Sequence, residues 1–444
     1  MEDARALDRS LSPRDLVVYG LLFIGPMAPV GVYGVLDAKS VGAVAAVYAV
    51  ATVAMGFTAW SYAQMSREVP HAGSVFAYAS AGLGRPAGFL AGWLAMLDYL
   101  LIPSVAYLFC GIALHSLVPS VPSWVFTVIA FAVTTAFNLA GARVAARVGF
   151  VVIVVEIVLL VVFVAASLVV LAVDGPARPW DSPFLGTGGS SLTLVMGAVS
   201  VAVLSYLGFD AIASFAEEST GDSRQVGRAV LFCLGLAGLL FVVQTYLAGL
   251  LMPVTPQELA EHPADQGTAF YTMTDSAVGP WLSKAFSIVK GVGPAFSAMT
   301  AVAAASRLLY GMARDRGLPS ALAGVAPRSR VPRTALLTTA GLTLVVSVWA
   351  ARRDDGLDLL VSVVDMGALA AFTMLHASVV GYFVVRRGSR AWLPHLVVPV
   401  LGAAVAIWII VLAGTLAKVA GAVWLAIGLV LALANRRRER RAAG

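Results

Sequence analysis

Apolar residues in this chain gather into long runs separated by short polar or charged stretches. The runs lie near 16–36, 41–65, 87–117, 123–140, 147–172, 191–216, 226–252, 282–310, 333–351, 357–385, 395–416 and 419–435. Each is close to the roughly 20 residues an α-helix needs to cross a bilayer. The pattern therefore predicts an all-α integral membrane protein with about twelve transmembrane helices.

Two runs are interrupted. In Val17–Leu36, Pro26 and Pro29 lack amide hydrogens, and Gly25, Gly31 and Gly34 loosen the backbone, so a continuous helix is not expected. In Val199–Ser219, VSVAVLSYLGFDAIASFAEES, Gly208 and Asp210 fall in mid-run. A carboxylate at that depth costs about 2.5–3.5 kcal/mol on insertion scales and is expected to face protein or water. Irregular backbone at membrane depth persists only where other protein or a watery cavity satisfies it, so both breaks are expected to face a ligand site. The broken runs are the first and the sixth, and five is odd, so the second block must enter the membrane from the opposite side. The expected plan is one transporter domain, 1–444, with a first five-helix repeat at 16–172, an inverted second repeat at 191–385 and two additional helices at 395–435.

Composition agrees. The chain is 59% hydrophobic and only 12% charged, with a mean hydropathy of +0.88, which excludes a water-soluble domain of this length. The net charge of +6 is explained by its distribution. Arg14, Arg67, Arg85, Arg143, Arg147, Arg224, Arg228, Arg314, Arg316, Arg328, Arg330, Arg386, Arg387 and the tail RRRERR fall on one side, against Lys39, Arg178, Arg352, Arg353 and Lys418 on the other. This bias places both termini in the cytoplasm of a multi-pass plasma-membrane protein, with the basic tail against anionic lipid rather than nucleic acid. The stretch Pro253–Pro280 carries Glu258, Glu261, His262, Asp265 and Asp275 and reads as a solvated outer loop.

At this point the residues carry a resemblance. SYLGFDAIASFAEES from Ser205, AASRLLYGMARDRGLP from Ala304, EVPHAGSVFAYASAGLGRPAGFLAGWLAMLDYLLIP from Glu68 and MGALAAFTMLHASVV from Met366 resemble the amino acid–polyamine–organocation permeases. The putrescine importers of that family are the most similar in appearance. The resemblance implies the inverted five-plus-five fold shared with a sodium-coupled leucine transporter, with segments 1, 3, 6, 8 and 10 around a central cavity. It also implies a secondary active transporter importing a small organic amine or amino acid by alternating access. Two departures matter. Where many amino-acid permeases resemble GxGxGIF and hold a substrate carboxylate on backbone amides, this chain has GPMAPVGVYG, whose prolines cannot donate. Met27, Ala28, Val30 and Gly31 keep their amides there. Where several sodium-independent relatives have a segment 5 lysine, this chain has Glu156.

Helical rise then sets the depth of the ionisable residues. Asp98 lies about 17 Å into segment 3, Glu156 about 14 Å into segment 5, and Asp365 and Lys290 about 10 Å inside segments 10 and 8. Asp98 or Asp365 is the expected partner of a substrate ammonium. Asp210 is expected either to hold the unwound backbone beside Gly208 or to touch substrate. Tyr206 and Phe209 flank that break and offer aromatic faces to an ammonium, with Tyr99 and Tyr107 as further walls. Glu156 and Lys290 are proton-coupling candidates; alternatively Lys290 and Asp365 form an ion pair between segments 8 and 10. Arg307, with Glu217 or Glu218, is an inner-gate candidate, near Arg314 and Asp315.

Other chemistry finds no support. No GxxxxGK[ST], HExxH, CxxC or GxSxG pattern occurs, and His71, His115, His262, His376 and His395 are scattered, so neither an enzyme, a cofactor nor a metal site is expected. Cys110 and Cys233 lie in apolar runs and read as buried hydrophobes. The readings left are an amine or amino-acid transporter with the proton as coupling ion, a neutral amino-acid permease, and a transporter-like membrane sensor or receptor.

Overall fold

A computed structural model describes residues 11–69, 74–118, 120–140, 142–189, 191–220, 223–314, 318–326, 331–353 and 356–443. His71, Asp315, Arg316, Arg328 and Arg330 lie outside the described residues, as do the side chains of Arg143, Arg147, Glu217 and the basic tail.

The described chain is helical, apart from an isolated parallel bridge between Leu11 and Ser219. In order, α1 is Pro13–Ile24, α2 Ala28–Ser40, α3 Val44–Glu68, α4 Val75–Leu83, α5 Arg85–Leu117, α6 Ser123–Ala140, α7 Ala142–Val173, α8 Ser182–Leu185 and α9 Leu192–Tyr206. After a 3-10 segment, Phe209–Glu218, come α10 Ser223–Leu251, α11 Pro256–Glu261, α12 Pro263–Gln266, α13 Ala269–Ala277, α14 Pro280–Arg314, α15 Arg333–Ala350, α16 Gly356–Val379, α17 Val398–Leu412 and α18 Thr415–Ala443. Among the described residues, 10 helices are long and apolar enough to span a bilayer, counting Pro13–Ser40 as one. Ser123–Leu139 and Leu192–Tyr206 are apolar but shorter.

Local chemistry fixes the ends. Ser12 and Asp15 form a reciprocal capping box before Pro13 at the start of α1. The chain leaves α1 at Gly25, whose φ of 73° suits a residue without a Cβ. The second break falls at Gly208, φ 120°, between α9 and the 3-10 segment. The Pro253–Pro280 stretch is folded rather than a plain loop: Thr255 caps α11, and Pro256 and Pro263 open α11 and α12. The helix α4 between the second and third runs is a further element the hydrophobic pattern did not show.

At the centre, α5 packs against α14 and α16, α3 against α10, and α1 against α10, α14 and the 3-10 segment. The outer helices present Val158, Val161, Val169, Ile407, Val411, Val430 and other large apolar side chains outward, as a lipid-facing surface requires. We call the end of the bundle where α1 begins proximal and the end where α2 finishes distal.

Candidate substrate site

At the first break, Gly25–Pro26–Met27, the freed carbonyls are met by side chains from other helices. Gln244 of α10 donates to Pro26 O at 3.0 Å, Lys290 of α14 to Met27 O at 3.3 Å, and Ser297 of α14 to Leu22 O at 2.5 Å. Two of the amides are occupied too: Ala28 N–H donates to Gly25 O at 2.8 Å and Val30 N–H to Met27 O at 3.1 Å. This break holds out less to a substrate carboxylate than the retained amides suggested.

A cavity of about 100 Å³ opens beside it, room for several waters or a small organic head group. Its walls come from Phe23, Ile24, Gly25, Met27, Ala28 and Val32 at the break, from Ile102, Val105, Ala106 and Phe109 of α5, from Leu204, Ser205 and Leu207, and from Glu156, Lys290, Pro294 and Ser297. The Lys290 ammonium stands 5.9 Å from the Phe109 ring centroid and within electrostatic reach of Glu156. Glu156 is 3% exposed, and its Oε2 has no hydrogen-bond partner among the described residues. The other oxygen packs on Gly293, where any Cβ would collide with it. Lys290 therefore serves the first break and does not pair with Asp365, correcting that expectation. Of the sequence-named residues, Met27, Ala28, Glu156 and Lys290 line this cavity. Val30 is buried in α2, and Gly31 faces Phe109.

The second break is built differently. Asp210 Oδ1 accepts the Gly208 N–H at 3.2 Å, while Oδ2 accepts the Tyr99 hydroxyl at 2.6 Å and the Tyr62 hydroxyl at 3.5 Å. Asp98 lies within electrostatic reach of Asp210 and Asp365, and the tight seat of Gly367 against Asp98 brings α16 onto α5 there. One oxygen each of Asp98 and Asp365 is buried with no partner among the described residues, and Asp98 is 1% exposed. The aromatic rings beside this break have partners of their own. Tyr206 turns to α3, sharing a hydrogen bond with Thr52 at 2.6 Å and donating to Tyr48 O at 3.0 Å. Phe209 lies edge-on to Tyr62 and beside Phe372, and Tyr107 bonds Thr134. Here both rings beside the break pack the bundle and neither lines the cavity.

Buried ion pairs stand at both ends. Proximally, Arg307 grips both carboxylate oxygens of Glu218, reaches Ala303 O at 2.8 Å and lies 4.2 Å from the Phe215 ring centroid. The described partner is thus Glu218. Beside it Leu11 N–H donates to Glu218 O, and Thr220 N–H to Leu11 O, both at 2.9 Å. Distally, Arg178 holds Asp37 through two bonds of 2.8 Å and also donates to Val254 O. Burial opposes the guanidinium charge, yet the Asp37 hydrogen bonds and charge outweigh it and hold the Arg178 pKa above its ordinary value. Sequence reasoning missed Asp37 and Gln244. A lone polar side chain inside an apolar run was the available signal for Gln244.

The amino acid permease family profile matches residues 16–433. The chain is 30% identical over 437 residues to the low-affinity putrescine importer PlaP of Escherichia coli K12, covering 96% of this chain and 93% of that one. It is 25% identical to the branched-chain amino acid permease BcaP of Bacillus subtilis, with the same coverage, and 26% identical to the methylthioribose transporter of that organism, again over 96% and 93%. These relatives are transporters, not enzymes, and the helices describe a multi-pass membrane protein. The chain belongs to the amino acid permease family of the amino acid–polyamine–organocation superfamily.

Proposed function

We propose that this permease imports a small organic amine, a polyamine such as putrescine, across the plasma membrane by alternating access driven by protons. The observation that carries the reading is the set of buried carboxyl oxygens on Asp98, Asp365 and Glu156 left without partners among the described residues, together with a first break where the Ala28 and Val30 amides are already used. A buried carboxylate without a partner is costly, and an incoming ammonium or proton removes that cost. The similarity to a putrescine importer supports the same substrate class.

In this reading Asp98 or Asp365 receives the ammonium, and the breaks at Met27, Ala28, Val30 and Gly31 and at Gly208 and Asp210 supply the hinges. Tyr206 and Phe209 anchor the second break to its neighbours. Glu156 takes the coupling proton, and Lys290, within its electrostatic reach, exchanges Met27 O for Glu156 as that charge changes. The proximal pair Glu218–Arg307 is the cytoplasmic gate and Asp37–Arg178 the external one. Both termini are cytoplasmic, and 16–172 and 191–385 are inverted repeats, with 395–435 added.

A second reading has its own observation. Glu156 and Lys290 share one cavity, so a zwitterion could offer its ammonium to the first and its carboxylate to the second, making a neutral amino-acid permease. Uptake of labelled putrescine, leucine and arginine into proteoliposomes, under a proton gradient and then a sodium gradient, separates the two. Proton-driven accumulation of putrescine supports the amine importer. Leucine uptake without putrescine uptake supports the second reading and overturns the first.

A further inference from the structure

Phe23 lies in the last turn of α1. It is 3% exposed, and its side chain forms part of the cavity wall. That side chain also fills the space a Cβ on Gly208 would need, so the end of α1 is seated directly on the second break. Its ring lies 6.3 Å from that of Tyr99, inclined at 55°, and the Tyr99 hydroxyl bonds Asp210. Phe23 thus touches the cavity on one side and the wall of the acidic cluster on the other.

The register of α5 shows what lies behind it. Asp98, Ile102, Val105 and Phe109 follow the i, i+4, i+7, i+11 spacing that places residues along one stripe of a helix. Ile102, Val105 and Phe109 line the cavity. Asp98 belongs to the same stripe one turn towards the proximal end; it does not line the cavity, and its Oδ1 is buried without a partner among the described residues. From Asp98 to Phe109, where Lys290 stands, is 109 − 98 = 11 residues, or about 16 Å along the axis.

We propose that Phe23 is a movable partition: when its ring turns aside, the cavity extends to the buried Asp98 carboxyl as one elongated chamber with carboxyl groups towards both ends. While Glu156 is ionised, such a chamber selects amines with positive charge at both ends over amines with one. The ring also offers its face to an ammonium passing along the chamber. The two-ended selection rests on the amine reading above; the partition does not.

The test uses the full-length permease in proteoliposomes and has two arms. In the first, Asp98→Cys is labelled with a methanethiosulfonate carrying an ethylammonium group, with and without Phe23→Ala, after subtracting the rate of the parent with its own buried cysteines. A partition predicts labelling roughly tenfold faster or more once the ring is removed, as expected when a buried site loses its barrier. Ala340→Cys, buried in α15, should stay slow in both backgrounds. Equal labelling of Asp98→Cys with and without the ring, or equal acceleration of Ala340→Cys, would overturn the partition. In the second arm, α,ω-diamines and monoamines of matched chain length compete with the transported substrate. The proposal expects diamines to win by roughly tenfold, one extra buried charge contact, with Phe23→Ala shifting the optimum to longer diamines. Equal competition by monoamines and diamines would overturn the two-ended selection. If neither amine class competes while leucine does, the amine reading itself has failed, and the labelling arm still decides the partition.

Discussion

The two broken segments solve one physical problem in opposite ways. At Gly25–Met27 the freed carbonyls are served from elsewhere, by Gln244, Lys290 and Ser297, and a cavity remains beside them. At Gly208 the break is served by its own Asp210, and although Leu207 just before it reaches the same cavity, the space at Gly208 and Asp210 is filled by Phe23, Tyr62, Tyr99 and Phe372. Both continue into a helix that ends in a buried carboxylate gripped by an arginine, Asp37 by Arg178 and Glu218 by Arg307. An interrupted membrane helix is therefore not in itself a binding site. What decides is whether the groups that satisfy it leave room beside it.

The contrast can be broken at several points. The largest effect is expected at the terminal pairs. Arg307→Ala leaves Glu218 buried and unpaired and should cost about 3–5 kcal/mol, read as a large fall in thermal midpoint in detergent. The joint change Arg307→Met with Glu218→Gln should recover much of that loss, because neither charge is then stranded. Next come the glycines. Gly208→Ala adds backbone strain of about 1–3 kcal/mol to a collision with Phe23 worth a similar amount. Gly25→Ala meets nothing nearer than Ser297 Oγ at 3.6 Å and should show the strain alone, about half the fall. If both glycine variants melt together, the claim that only the second break is packed shut is wrong.

Glu156→Gln sharpens the comparison on the functional side, since it keeps shape and removes the titratable group beside the first break. Proton-driven accumulation should drop by roughly tenfold or more, while substrate exchange without a gradient continues. Unchanged accumulation would remove Glu156 from coupling. The smallest effect is expected at Tyr206→Phe, which loses the bonds to Thr52 and Tyr48 O, costs about 1 kcal/mol in stability and leaves substrate affinity unchanged. A marked affinity loss would return Tyr206 to the substrate's surroundings.

The breaks themselves were legible in the sequence, because proline and glycine act on the backbone locally and need no knowledge of the fold. The placement of Asp98, Glu156, Lys290 and Asp365 along their helices was legible for a similar reason, since helical rise converts sequence position into distance along the axis. Partners were not. Tyr99 and Asp210 are 111 residues apart, Arg178 and Asp37 are 141 apart, and Arg307 and Glu218 are 89 apart. Depth also carries no direction around the helix, which is why Lys290, at the expected depth for Asp365, instead turns to Met27 O. Aromatic rings beside a break gave the same ambiguity: Tyr206 and Phe209 sit where expected along the chain and point into the bundle.

In the proposed mechanism, buried carboxyl oxygens without partners among the described residues receive the ammonium of the substrate. Binding of putrescine and of leucine to the purified permease, with and without Asp98→Asn, tests it most directly. Asp98→Asn should weaken putrescine by roughly tenfold or more, as expected when one partner of a buried charge contact is removed, with far less effect on leucine. Equal weakening of both ligands, or of neither, would contradict it.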